Sequence, residues 1–177
     1  FNMKFHSASL TYFDRIVQKG PAHAYYGETL KWLASLSTEL ADATAVLERI
    51  GKYQRAELDQ PAIESVRDHL YFLLGRYHYN KGNFKEAVAL FQGVPSSSKY
   101  YTQAKLLEGG THIREYNGKA AADAFKEVLR VAVEGKEEKE RPYEDLANLS
   151  LARTFYSTGQ FDLAAKYYDR VSPESYD

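Results

Sequence analysis

Apolar residues along the chain recur with the 3.6-residue period of amphipathic helices, in blocks separated by short polar or glycine-bearing breaks. From Leu70 to Phe91 the pattern predicts two helices broken at Lys81-Gly82-Asn83, with small residues, Gly75 and Ala87, where the helices should meet. Thirty-four residues on, Gly109, Ala121 and Phe125 repeat Gly75, Ala87 and Phe91. At an offset of 77, Ala152, Gly159, Phe161, Ala164 and Tyr168 match Gly75, Gly82, Phe84, Ala87 and Phe91. Since 77 is 34 plus 43, the second unit carries about nine extra residues, which fall in the charged stretch Glu134 to Pro142.

The same spacing appears at the amino terminus in Phe5, Ala8 and Tyr12, so residues 1–19 read as the second helix of a truncated repeat. Val171 to Asp177 resembles the linker Val94 to Tyr100, and the expectation is that both ends are cut through a repeat array. Three further units are read at 61–95, 99–134 and 142–171, and a degenerate one at 24–53, where Trp32-Leu33-Ala34 suits a first helix and Ala43, Leu47 and Ile50 a shortened second one. The whole of 1–177 is expected to be a single domain. Gly20-Pro21, Gly51, Gly93-Val94-Pro95, Arg141-Pro142 and Ser172-Pro173 carry helix-ending chemistry. Tyr53 to Ser65 predicts either a loop or an early helix start with Pro61 in its first turn.

These units resemble the tetratricopeptide repeat. Tyr71, Leu74-Gly75, Gly82, Phe84, Ala87 and Phe91 fill the family pattern in one unit, and Leu151-Ala152, Phe155, Gly159, Phe161, Ala164 and Tyr168 fill it in another. The unit near Tyr101 departs from it, with Glu108 in place of a leucine and Gly118 in place of an aromatic. The resemblance implies an all-α fold, a right-handed superhelical solenoid of antiparallel helix pairs. A pair of this size cannot close a core alone, so each buries its apolar stripe against the next.

Composition adds three constraints. Twenty-three basic against 24 acidic residues give a net charge of −1, which argues against nucleic-acid binding by bulk charge. Cysteine is absent, removing disulfides, thiolate nucleophiles and cysteine metal sites. No apolar run reaches the length of a membrane span, so no direct membrane insertion is expected. The 15 Tyr, 9 Phe and 1 Trp are numerous, and most, including Tyr12, Tyr71, Phe84, Phe91, Phe125, Phe155, Phe161 and Tyr168, fall on repeat-defined packing positions.

Catalytic chemistry finds little support. His78 and His112 occupy equivalent places, but no carboxylate recurs with them at ligand spacing and no His-Glu-x-x-His string exists, so packing is the favoured reading. Gly109-Gly110 lacks the remainder of a phosphate loop, and no serine sits in Gly-x-Ser-x-Gly. No cofactor and no metal are expected, and the chain is read as a non-enzyme.

The resemblance implies that first helices line a concave face. Carried over by position, the inward-pointing residues are His69, Phe72, Arg76, Tyr79 and Asn80, then Gln103, Leu106, Gly110, Ile113 and Arg114, then Leu146, Leu149, Arg153 and Tyr156. Arg76/Tyr79 and Arg153/Tyr156 repeat an Arg with a Tyr three residues on, and both types are enriched at binding hot spots. The Lys/Asn carboxylate clamp of chaperone-binding members is not reproduced. The expected function is a non-catalytic scaffold binding a peptide or partner protein on the concave face. The alternative is a recruitment, regulatory or self-assembly domain of a larger multidomain protein, with self-association through the cut repeat ends. The Pro-x-Ser-x-Tyr linkers resemble those of bacterial envelope tetratricopeptide proteins, which suggests a periplasmic or outer-membrane-associated setting, with the cytoplasm as the alternative.

Overall fold

The computed structural model describes residues 6–40, 44–135 and 141–173, and these contain helices and no strand. Phe5, Ala43, most of the charged insertion and Glu174 to Asp177, which entered the sequence reading, lie outside the described residues. The helices are α1 (His6–Gln18), α2 (Tyr26–Glu39), α3 (Thr44–Ile50), α4 (Arg67–Asn80), α5 (Phe84–Gln92), α6 (Tyr101–Arg114), α7 (Gly118–Gly135), α8 (Arg141–Ser157) and α9 (Phe161–Tyr168). Two compact units divide them, Phe1–Val94 and Pro95–Asp177.

In the first unit α4 is buried almost all round through Leu70, Tyr71, Phe72, Leu73 and Leu74, so it serves as the central post. Leu30, Leu33 and Leu36 of α2, Ile50 of α3 and Leu90 and Phe91 of α5 complete that core. The segment between α3 and α4 forms two 3-10 turns, Arg55–Asp59 and Pro61–Val66, with Pro61 at a turn's start where a missing N–H costs nothing. Gln54 caps the first turn in a reciprocal box with Glu57, and Leu58 and Ile63 anchor both turns in the core. Arg67 Nε donates to the Leu58 carbonyl at 3.2 Å, and the Tyr71 hydroxyl donates to Asp59.

In the second unit Ala121, Ala122 and Phe125 of α7, Leu151 and Phe155 of α8 and Ala164 of α9 form one core cluster, with Leu106, Leu129 and Tyr167 packed on it. α7 runs for 18 residues where α5 runs for nine, so part of the extra length is taken up as helix.

The turn inside each helix pair is the same structure three times. Gly82, Tyr116 and Gly159 have φ of 79°, 57° and 76°. The N–H that follows each of them reaches back to the carbonyl of His78, His112 or Phe155, at 2.9 Å in every case, which satisfies carbonyls left over at the helix end. Glycine meets this left-handed geometry without penalty, whereas Tyr116 adopts it with a side chain.

Candidate functional site

The candidate contact residues on α4 separate by depth. His69 is buried and its Nε2 lies 3.3 Å from Ser37 Oγ on α2, and Phe72 is buried with its ring 6.4 Å from that of Phe91. Both were expected to line an open face. The repeat position puts them on the inner helix, but packing against α2 and α5 covers them. Arg76 is half-buried and lies over Phe72, 5.8 Å from the ring centroid. Tyr79 is half-buried with its ring tilted on Phe84 at 6.2 Å, and Asn80 is exposed. This first-unit face is mostly self-packed.

The second unit presents more. Gln103 Nε2 on α6 donates to the Tyr143 hydroxyl on α8 at 2.7 Å, tying together the first helices of successive pairs. Leu106 points into the core cluster, which removes it from the surface set. Further along α6, a side chain at Gly110 would meet no heavy atom within 4 Å, and Ile113 and Arg114 are exposed. On α8, Leu146, Arg153 and Tyr156 are exposed, and Leu149 is half-buried. Tyr156 is 62% exposed and makes an edge-on contact with Phe161 at 5.4 Å. Helical spacing puts Leu146, Leu149, Arg153 and Tyr156 along one side of α8.

The polar groups of this unit are organised around α6 and α7. Glu108, which stands where the repeat pattern has leucine, is buried, and Lys105 Nζ meets its Oε2 at 2.7 Å. His112 Nε2 lies 4.0 Å from the other carboxylate oxygen, and its Nδ1 lies 3.6 Å from Glu115. Nearby, Glu127 accepts from Tyr101 at 2.9 Å and from Arg130 Nε and Nη2 at 2.8 and 2.7 Å. Chiefly through the Arg130 hydrogen bonds, and then that of Tyr101, the Glu127 carboxyl is lowered from 4.5 to about 2, while burial first and the Glu127 contact second raise the Tyr101 phenol to about 12. His78, equivalent to His112, is lowered by burial, with Glu86 opposing.

In the first unit a second polar group was not legible from sequence. Asp14 of α1 pairs with Arg49 of α3 at 3.0 Å, next to the Tyr26/Tyr53 edge-on pair. Both phenols are raised, by burial first; among the charges around them, Glu57 faces both and Asp14 faces Tyr53. These residues have no repeat counterpart, so no periodic signal marks them.

Among the described residues no cluster of three or more His, Asp and Glu is placed to hold a metal, and no helix is long and apolar enough to cross a membrane. What the second unit offers is an exposed helix side with branched apolar, aromatic and guanidinium groups.

The fold is all-α and tetratricopeptide-like. A solved structure titled "Crystal structure of MamA", itself tetratricopeptide-like, superposes with a TM-score of 0.63 over 90% of this chain and 82% of that one, at 16% sequence identity. No protein-family model matches the chain, and no protein in the curated set matches its sequence.

Proposed function

We propose that the protein is a non-catalytic interaction scaffold that holds a peptide or partner protein against the first helices of its repeats. The observation that carries this reading is the exposed side of α6 and α8. Ile113, Leu146 and Tyr156 are apolar or aromatic yet open, and Arg114 on α6 and Arg153 on α8 are exposed as well. Large rigid rings and guanidinium groups give contact area and directed hydrogen bonds with little ordering cost, the combination that dominates binding energy at interfaces. The Gln103–Tyr143 hydrogen bond links α6 to α8 before any partner arrives.

The first unit, taken by itself, offers Arg76, Tyr79 and Asn80 beside the buried His69 and Phe72 for a contact of the same kind. A platform in envelope assembly, suggested by the linkers, is the narrower form of this reading. The test is the Arg153→Ala/Tyr156→Ala variant. Both side chains are exposed, so the thermal melt should be unchanged while partner capture is lost.

A further inference from the structure

Of the chain's five asparagines, Asn117 alone is followed by glycine; Asn2, Asn80, Asn83 and Asn148 precede Met, Lys, Phe and Leu. The difference matters chemically. The backbone nitrogen of the next residue can attack an asparagine side-chain amide, and a side chain on that residue hinders the approach. In the equivalent turns the residue after the helix cap is Phe84 or Phe161, so the repeat itself does not require glycine there. Packing favours it. A methyl group at Gly118 would meet Thr158 Cγ2 at 3.0 Å and Thr154 Cγ2 at 3.8 Å. The close approach of the α6–α7 turn to the end of α8 therefore leaves an Asn-Gly pair at this point.

The local structure exposes the pair and polarises it. Asn117 is exposed, whereas Asn148 is buried. The preceding Tyr116 holds the left-handed φ of 57°, and the Asn117 N–H donates to the His112 carbonyl at 2.9 Å, which fixes the turn on its amino side. The Asn117 carbonyl accepts from the Ala121 N–H at 3.0 Å, and its Oδ1 accepts from the Ala120 N–H at 3.2 Å, so Asn117 caps α7. That side-chain bond draws electron density from Cγ and opposes the negative charge that grows on Oδ1 during attack. The Gly118 N–H is among the first of α7, which have no carbonyl a turn back inside the helix.

We propose that Asn117–Gly118 is a site of spontaneous deamidation in the folded protein. The Gly118 nitrogen gives up its proton to solvent base and bonds to Asn117 Cγ. The bond from Cγ to the side-chain nitrogen then breaks, and that nitrogen takes a proton from water and leaves as ammonia. Water opens the resulting five-membered imide at either carbonyl, giving aspartate or isoaspartate with no change of oxidation state. Aspartate keeps an oxygen for the Ala120 N–H and sets a carboxylate at the start of α7, between the exposed Arg114 and Lys119. Isoaspartate routes the main chain through the former side chain and loses the cap. This chemistry is independent of any bound partner.

The whole 177-residue protein is held in mildly alkaline buffer and digested at intervals, with a free peptide of residues 113–122 as the clock. Mass spectrometry should find amide-to-carboxyl conversion at Asn117 well ahead of Asn80, Asn83 and Asn148, and isoaspartate-specific methylation should label position 117. Gly118→Ala should slow the conversion at least tenfold. Gly118→Ala/Thr158→Ser, which removes the opposing methyl group, should slow it as much with a melt close to wild type, separating blocked attack from altered folding. An unconverted Asn117 after ten half-times of the peptide overturns the proposal. So does equal conversion in the Gly118→Ala/Thr158→Ser protein, or a product that is aspartate without isoaspartate.

Discussion

The ring of Phe125 fills the space that a side chain at Gly109 would enter, whereas the adjacent Gly110 faces open space. Gly75 and Phe91 make the same contact in the first unit, where a methyl group would lie 2.6 Å from the ring. Adjacent glycines on α6 therefore answer to opposite forces. Gly110→Ala gains helix propensity without a clash and should stabilise by about 0.5–1 kcal/mol. Gly109→Ala gains the same but displaces a buried ring, costing about 1–3 kcal/mol for overpacking, so it should be net destabilising. Urea unfolding of the two variants gives the order, and a reversed order would contradict the helix crossing.

Tyr116 holds the left-handed turn position that glycine holds in the other two pairs, and its side chain is almost wholly exposed. No packing compensates for the conformation. Tyr116→Gly should relieve roughly 1–2 kcal/mol of steric cost, offset in part by about 0.5–1 kcal/mol of added unfolded-state entropy. A net gain of a few tenths to about 1 kcal/mol is expected, read as a higher midpoint in thermal melts.

Glu108 is a carboxylate at a leucine position, and Lys105 is its close counter-charge. Lys105→Met leaves that buried group without its cation and should cost about 1–3 kcal/mol. Lys105→Met/Glu108→Leu removes both charges and should recover most of the loss, because an apolar pair of similar volume is often at least as stable as a buried ion pair. A double-mutant cycle by chemical denaturation measures the coupling, and additive losses would show that the two charges act separately.

Glu127 sets a pH window. Its folded-state pKa is depressed from 4.5 to about 2, so the stabilisation is present above pH 4.5 and is lost as pH falls toward 2. Glu127→Gln should lower the melting temperature at pH 7, and the gap from wild type should close across that window. The group is near the surface, so the gap should be small and should shrink in salt. A gap independent of pH would mean that the carboxylate charge plays no part.

Gly75, Gly109 and their partner rings were legible in the sequence because a close crossing demands a residue without a side chain at a fixed interval. Depth was harder to read. His69 and Phe72 take inner-face positions by the repeat resemblance, yet neighbouring helices cover them, and a position carried over from a family layout does not report what lies opposite a side chain. Tyr12, Phe161 and Tyr168 show the reverse error. They fall on packing positions, but Tyr12 is 64% exposed and the other two lie on an uncovered helix side. Glu108 announced itself as a mismatch, though not that Lys105 would accompany it into the interior. The segment from Tyr53 to Ser65 left two options open, and Pro61 at a turn start decided for short 3-10 helices, with α4 beginning only at Arg67.

The most direct measurement of the scaffold reading is quantitative affinity capture with wild type and with Arg153→Ala/Tyr156→Ala, on preparations whose melts coincide. The reading predicts that a defined partner retained by wild type falls at least tenfold with the variant and is only partly recovered by Arg153→Lys with Tyr156 intact. An identical retained set for both proteins would contradict it.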